Sequence, residues 1–115
     1  MCLSIDTECE PLYPATFDNV YNTTLVPKCG VAGSACHARE GAAGGLIFAD
    51  IDESYQQLTD QARSGALVDF DNLGCGALLA RVGSQTASFV MPPGAPLDDA
   101  ELCAIRQWVA LGAER

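Results

Sequence analysis

The chain has 115 residues, of which 49% are hydrophobic and 7% aromatic, and its formal net charge is −9 at pH 7. A chain this acidic has no basic patch that could neutralise phosphates, which excludes nucleic acid as a partner. No apolar run approaches the roughly 20 residues that a membrane-spanning helix needs, so no membrane span is expected. The length indicates a single domain with a modest core, which a cofactor or cross-links would stabilise considerably.

The N-terminal part of the chain divides into a leader and a first helix. Residues 1–15 contain two prolines and two cysteines without sustained periodicity, so we expect an extended, disulfide-pinned leader there. A helix is predicted from its N-cap Thr16 to Pro27, because proline cannot continue a regular helix. The apolar stripe of this helix consists of Phe17, Val20, Tyr21 and Leu25.

Three further helices are predicted in the second half. One runs from about Asp52 to Arg63, and a short one runs from about Cys75 to Val82. The last helix has the most complete local signals, since Asp98 and Glu101 form a capping box and Gly112 is placed to end it. Its hydrophobic staple and apolar stripe consist of Leu97, Leu102, Ile105, Trp108 and Val109. The fold class is therefore mainly α, a small helical domain with long irregular loops and disulfide staples.

The chain contains six cysteines, an even number that indicates an oxidising compartment and hence a periplasmic or extracellular location. Taken in order they can be written as three pairs, Cys2–Cys9, Cys29–Cys36 and Cys75–Cys103. Sequence order alone does not decide connectivity. We expect the Cys75–Cys103 bond in particular, because it would join the last two helices and stabilise the fold by roughly 3.5 kcal/mol. Acylation of Cys2 as a lipoprotein anchor is an alternative that leaves five cysteines, one of them without a partner.

The residues with the most specific chemistry are Cys36 and His37, followed later by Met91. A thiol beside an imidazole is the arrangement that attaches and ligates a c-type haem, and a methionine thioether is a common second axial ligand. The chain has one His and two Met, one of them the first residue, so both candidate ligands are unique. Cys29 is the candidate for the other attachment point, although six residues separate it from Cys36 where the usual signature has two.

The order of these elements resembles the small class I cytochromes c, and most closely the cytochrome c-like domains of myxobacteria and planctomycetes. In that family a helix precedes the attachment site, a methionine loop follows, and a C-terminal helix packs across the first helix. The segments that carry the resemblance are Cys36–His37, Gly44–Leu46, Tyr55–Leu58, Met91–Gly94 and Ile105–Ala113. The resemblance implies a cytochrome c-like domain over residues 16–115, with His37 and Met91 as axial ligands and thioethers at Cys36 and Cys29.

These observations predict an extracytoplasmic electron carrier, not an enzyme, with one covalently attached haem c and a redox protein as its partner. Two strong axial ligands would leave the iron no open position for a substrate. The alternative is a haem-free, disulfide-stabilised binding or interaction module on the same fold. It remains open because the small residues between Cys29 and Cys36 also permit a disulfide, which would contribute roughly 2.5 kcal/mol.

Other chemistries fit the sequence less well. Cys36 and His37 are adjacent, whereas a nucleophile and its base must face each other. A structural zinc site would lack a second closely spaced ligand pair, and the acidic residues do not follow a calcium-loop spacing. We interpret Tyr55 and Trp108 as core aromatics. Arg39 and Arg81 could pair with haem propionates, but exposed surface roles explain these two residues at least as well.

Overall fold

The computed structural model describes residues 5–29, 46–62, 66–83 and 97–115. These residues form four α-helices, and no strand lies within the described ranges. The mainly α fold class that the sequence predicts is therefore confirmed.

The helices follow one another with short helical segments between them. The α-helices are α1 (Phe17–Asn19), α2 (Ile51–Leu58), α3 (Ala77–Gly83) and α4 (Asp99–Ala110). A π-helix, Val20–Cys29, continues α1 without a break, and a 3₁₀ turn, Leu73–Cys75, precedes α3. The predicted third helix is thus present with slightly shifted bounds, and its apolar residues Leu78, Leu79 and Val82 are buried.

The first helical segment begins as predicted and ends later. The Thr16 side chain accepts a hydrogen bond from the Asn19 N–H at 3.3 Å, which is the expected N-cap. The helical path then continues through Pro27 as a π-helix to Cys29, the last described residue of this range. A proline ring collides with the carbonyl of the preceding turn in an α-helix, and the wider turn of a π-helix gives it more room. The prediction that Pro27 ends the helix is therefore wrong.

The core lies where α4 packs on the first helical segment. The Trp108 side chain is 2% exposed, and its ring centroid lies 5.2 Å from that of Phe17. All the apolar positions predicted for these two helices are buried: Phe17, Val20, Tyr21, Leu25, Leu102, Ile105, Trp108 and Val109. The C-terminal helix therefore contacts the first one, in the order of elements that the sequence indicates.

Both ends of α4 follow local signals in its sequence. The Asp98 carboxylate accepts a hydrogen bond from the Glu101 N–H at 2.8 Å, so the N-cap is confirmed. Gly112 has a φ of +105°, and two hydrogen bonds back into the last turn complete a Schellman ending. Of the two hydrogen bonds of a capping box, the one to the Asp98 carboxylate forms. The reciprocal one does not, because the Glu101 side chain turns away from Asp98 to bind Thr24.

Helix α2 is shorter than the predicted Asp52–Arg63. It spans Ile51–Leu58 and is capped by Asp50, whose carboxylate accepts from the Glu53 N–H at 2.9 Å. Its early end has a tertiary cause. The Val68 N–H donates to the Leu58 carbonyl at 3.1 Å, and this takes up an acceptor at the end of the helix. The Gln61 side chain also donates to the Val68 carbonyl at 2.6 Å. Residues that would otherwise continue the helix are therefore bonded to the loop that contains Val68.

The leader, described from residue 5, runs along α4 in the opposite direction to the helix. The Leu12 N–H donates to the Ala100 carbonyl at 3.0 Å. Further along α4, a disulfide joins Cys9 to Cys103, and the Gln107 side chain donates to two leader carbonyls at 2.9 and 3.3 Å. The leader is therefore pinned by a disulfide as expected.

Two of the three predicted cysteine pairings are wrong. Cys9 pairs with Cys103, which contradicts both the Cys2–Cys9 and the Cys75–Cys103 pairings. The reason is the orientation of α4, since Cys103 lies on the side of that helix that faces the leader. Cys75, in the 3₁₀ turn, is disulfide-bonded as well, but not to Cys103.

Candidate functional site

Of the four predicted site residues, the structure describes Cys29. This cysteine is the last residue of the π-helix, and its half-buried thiol packs against the edge of the hydrophobic core. Cys36, His37 and Met91 lie outside the described residues, so their roles stay predictions. The same holds for Arg39.

A chain of buried hydrogen bonds lies next to Cys29. The Glu101 side chain is 1% exposed, and its carboxylate accepts hydrogen bonds from the Thr24 hydroxyl at 3.0 Å and from the Lys28 ammonium group. A threonine hydroxyl has one hydrogen, and here it is given to Glu101. The Tyr13 hydroxyl, 2.7 Å from Thr24 Oγ1, must therefore donate to it. The four side chains connect the leader, the π-helix and α4.

The charges in this network are compensated where they are buried. An unpaired buried carboxylate would be costly, and the Lys28–Glu101 ion pair removes that cost. The hydrogen bond to Glu101 raises the pKa of Lys28 above its ordinary value of 10.5. Burial raises the pKa of Tyr13 above 10.0, and its hydrogen bond with Thr24 only partly opposes this. Lys28 therefore stays charged and Tyr13 neutral across the physiological pH range.

Cys29 is coupled to this network by position and by charge. It follows Lys28 directly, and a π-helix joins backbone groups five residues apart, which is the separation of Thr24 and Cys29. Cys29 is also the last and smallest of the causes that raise the pKa of Tyr13, after burial and the charge of Glu101. It is likewise the last and smallest of those that raise the pKa of Lys28, after the hydrogen bond and charge of Glu101 and the charge of Asp98. The sulfur therefore lies within electrostatic range of both groups.

The two side chains interpreted as core aromatics make structural hydrogen bonds. The Tyr55 hydroxyl donates to the Ala113 carbonyl at 2.9 Å, and the Trp108 indole N–H donates to the Glu114 carbonyl at 2.9 Å. Both bonds hold the C-terminal residues against the core. These contacts agree with the interpretation of Tyr55 and Trp108 as core aromatics.

Another residue of the segment Tyr55–Leu58 also has a structural role. The Gln57 side-chain amide donates to the Ile47 carbonyl and accepts from the Ile47 N–H, each at 2.7 Å. This double hydrogen bond fixes residues 46–48 beside α2. Leu46 and Phe48 are buried there.

The sequence interpretation missed the network around Glu101, because this residue was assigned to the capping box alone. A usable signal was nevertheless present. Glu101, Ile105 and Trp108 follow the i, i+4, i+7 spacing of the apolar stripe, so the carboxylate points towards the core. A buried carboxylate needs a cationic or hydroxyl partner, but the identity of that partner depends on how α4 meets the π-helix.

Comparison with known proteins gives no further assignment: no protein-family model, no curated protein and no solved structure matches the chain. Within the described ranges, no three or more His, Cys, Asp or Glu side chains are grouped so that they could hold a metal ion. In the same part of the chain, no helix combines the length and apolarity that crossing a bilayer requires. The functional assignment therefore rests on the residues themselves.

Proposed function

We propose that this chain is an extracytoplasmic electron-transfer protein that carries one covalently attached haem c. The observation that carries the proposal is the pair Cys36-His37 followed by Met91, since the chain has no other His and no other Met beyond its first residue. A thiol–imidazole pair and a later thioether are the groups that attach and ligate haem in this class of protein. His37 and Met91 would be the axial ligands, with thioethers at Cys36 and Cys29.

The described part of the site is compatible with this role. Cys29 is half-buried at the edge of an apolar core, and these surroundings suit a large apolar ring. It ends the helical segment that precedes Cys36-His37, and α4 contacts that segment. This order of elements supports the resemblance to the class I cytochromes c. The Cys9–Cys103 disulfide supports an oxidising compartment.

When bound, the haem iron would supply reversible one-electron transfer, because two axial side chains leave no position for a substrate. The side chains of His37 and Met91 would hold the iron, and the thioether cysteines would fix the orientation of the ring. The net charge of −9 favours a positively charged redox partner, since complementary charge accelerates encounter. Electron transfer is thus proposed without any catalytic residue.

An absorption spectrum of the purified protein tests this proposal. In protein from a host with haem-attachment machinery, we expect sharp low-spin bands on reduction that remain with the protein after acid–acetone extraction. A Cys29→Ser/Cys36→Ser variant from the same host, which lacks both attachment points, should lose its colour on extraction. A colourless wild-type protein with Cys29 joined to Cys36 would contradict electron transfer and favour the haem-free interaction module.

A further inference from the structure

We propose that the buried carboxylate of Glu101, through Thr24 and Lys28, holds the end of the π-helix on α4 and thereby positions the Cys29 sulfur for thioether formation. The inference deepens the proposed function and rests on it. Glu101 would be a positioning residue, because its contacts are with the helix that carries Cys29 and not with the attached group.

Side chains hold the last described turn of the π-helix on α4. Pro27 lies in this last turn and has no N–H to donate. The side chains of Thr24 and Lys28, four residues apart on the π-helix, both donate to the carboxylate of Glu101 on α4. These side-chain contacts with α4 hold the part of the π-helix that lies immediately before Cys29.

The identity of residue 101 favours a role in positioning over a role in stability. A leucine would continue the apolar stripe of Ile105 and Trp108 and would bury no charge. Replacing a buried ion pair by apolar residues is often neutral or stabilising. A leucine could not, however, accept hydrogen bonds from Thr24 and Lys28 together. The carboxylate therefore contributes a fixed register between the π-helix and α4.

The first arm of the test measures where haem is attached. Glu101→Gln and Lys28→Met are produced in a host with haem-attachment machinery, and mass spectrometry of haem peptides gives the fraction of thioether at Cys29. We expect attachment at Cys36 to be retained and attachment at Cys29 to fall several-fold. Val109→Ala, a buried change on the same helix away from the network, is the control for lost stability and should leave the Cys29 fraction unchanged. Lys28 is 46% exposed, so its variant gives the comparison even if Glu101→Gln does not fold.

The second arm needs no haem. In a Cys36→Ser background from a host without attachment machinery, the rate at which a maleimide modifies Cys29 reports how firmly the helix end is held. Glu101→Gln and Lys28→Met should raise this rate several-fold, and Val109→Ala should not. Peptide mapping would confirm that Cys29 is the residue modified.

The two arms separate the inference from the proposed function. If the wild type has haem bands but the thioether fractions and maleimide rates are the same in all variants, the positioning role is overturned and the electron-transfer proposal stands. If the wild type is colourless while the rates still differ, the haem proposal fails and the thioether role fails with it. The expected result is a coloured wild type with a selective loss at Cys29 in both network variants.

Discussion

Cys9 and Cys103 form a disulfide across 94 residues of sequence, with their Cα atoms 5.8 Å apart. Cys103 is fully buried, and Gln107, one turn further along α4, also contacts the leader. The leader is thus attached to the side of α4 that carries these two residues, while Trp108 packs against Phe17. The disulfide joins the N-terminal leader to the helix that completes the core.

Removal of this disulfide should destabilise the fold. For Cys9→Ala/Cys103→Ala we expect the free energy of unfolding to fall by about 2–5 kcal/mol, because the unfolded chain gains the freedom that the cross-link removed. Denaturant unfolding measures the loss. Leu12→Ala, in the same leader at a side chain that is 53% exposed, is the matched control and should change stability by less than about 0.5 kcal/mol. Equal stability of the double variant and the wild type would show that the leader contributes little.

The contrast between local and long-range contacts explains what the sequence could predict. Thr16, Asp98 and Gly112 act on residues within one turn, so their roles follow from spacing alone. The Cys9–Cys103 bond and the Lys28–Glu101 pair join residues 94 and 73 positions apart, and they depend on how α4 lies against the leader and the π-helix. All four residues of the candidate site were predicted from the sequence. The described part of the chain adds the surroundings of one of them, Cys29.

Three glycines should respond differently to alanine, for separate physical reasons. Gly112→Ala should cost about 1–2 kcal/mol because its φ of +105° is unfavourable for a residue with a Cβ, although there is open space around it. Gly76→Ala should cost about 1–3 kcal/mol or more, because the new Cβ would lie 2.5 Å from the Leu67 carbonyl oxygen. Gly83→Ala, at the end of α3 with room for a methyl group, should be neutral or stabilise by up to about 1 kcal/mol.

Urea unfolding of the three variants checks these expectations. Gly83→Ala serves as the control, because it makes the same chemical change without a clash or a positive φ. Equal losses for Gly112→Ala and Gly83→Ala would contradict the Schellman ending of α4.

The stability of the protein should fall on the alkaline side. The hydrogen bond to Glu101 raises the pKa of Lys28 above 10.5, and burial raises the pKa of Tyr13 above 10.0. The folded protein therefore holds both protons more tightly than the unfolded chain does. This stabilisation is complete below the ordinary pKa values and is lost as the pH rises through the raised ones.

Denaturant unfolding between pH 7 and about 12 measures this loss. In Tyr13→Phe/Lys28→Met the free energy of unfolding should decline less steeply above about pH 10 than in the wild type. Burial also raises the pKa of Tyr21, which both proteins retain, so it provides a common background. Parallel curves for the two proteins would show that the network does not bind its protons more tightly on folding.

Substitution of the proposed axial ligands should have separate consequences. Met91→Ala should keep its haem, since thioethers do not depend on the sixth ligand, and should shift the spectrum towards high spin and lower the potential. His37→Ala should reduce the amount of attached haem, because this ligand lies next to the attachment residue Cys36. If Met91 only fills the core, its removal should cost about 2–5 kcal/mol of stability and leave the visible spectrum unchanged. That last spectrum would exclude Met91 from the site.

Haem attachment at Cys29 and Cys36 is tested most directly by mapping all six cysteines with mass spectrometry, in protein from a host with haem-attachment machinery. The proposal predicts one peptide in which Cys29 and Cys36 both carry the mass of haem, together with the Cys9–Cys103 bond. If Cys29 and Cys36 carry the haem, we also expect a Cys2–Cys75 disulfide, because Cys75 is disulfide-bonded and Cys2 is the cysteine left over. A Cys36–Cys75 or Cys29–Cys36 disulfide in a protein without haem would contradict the proposal.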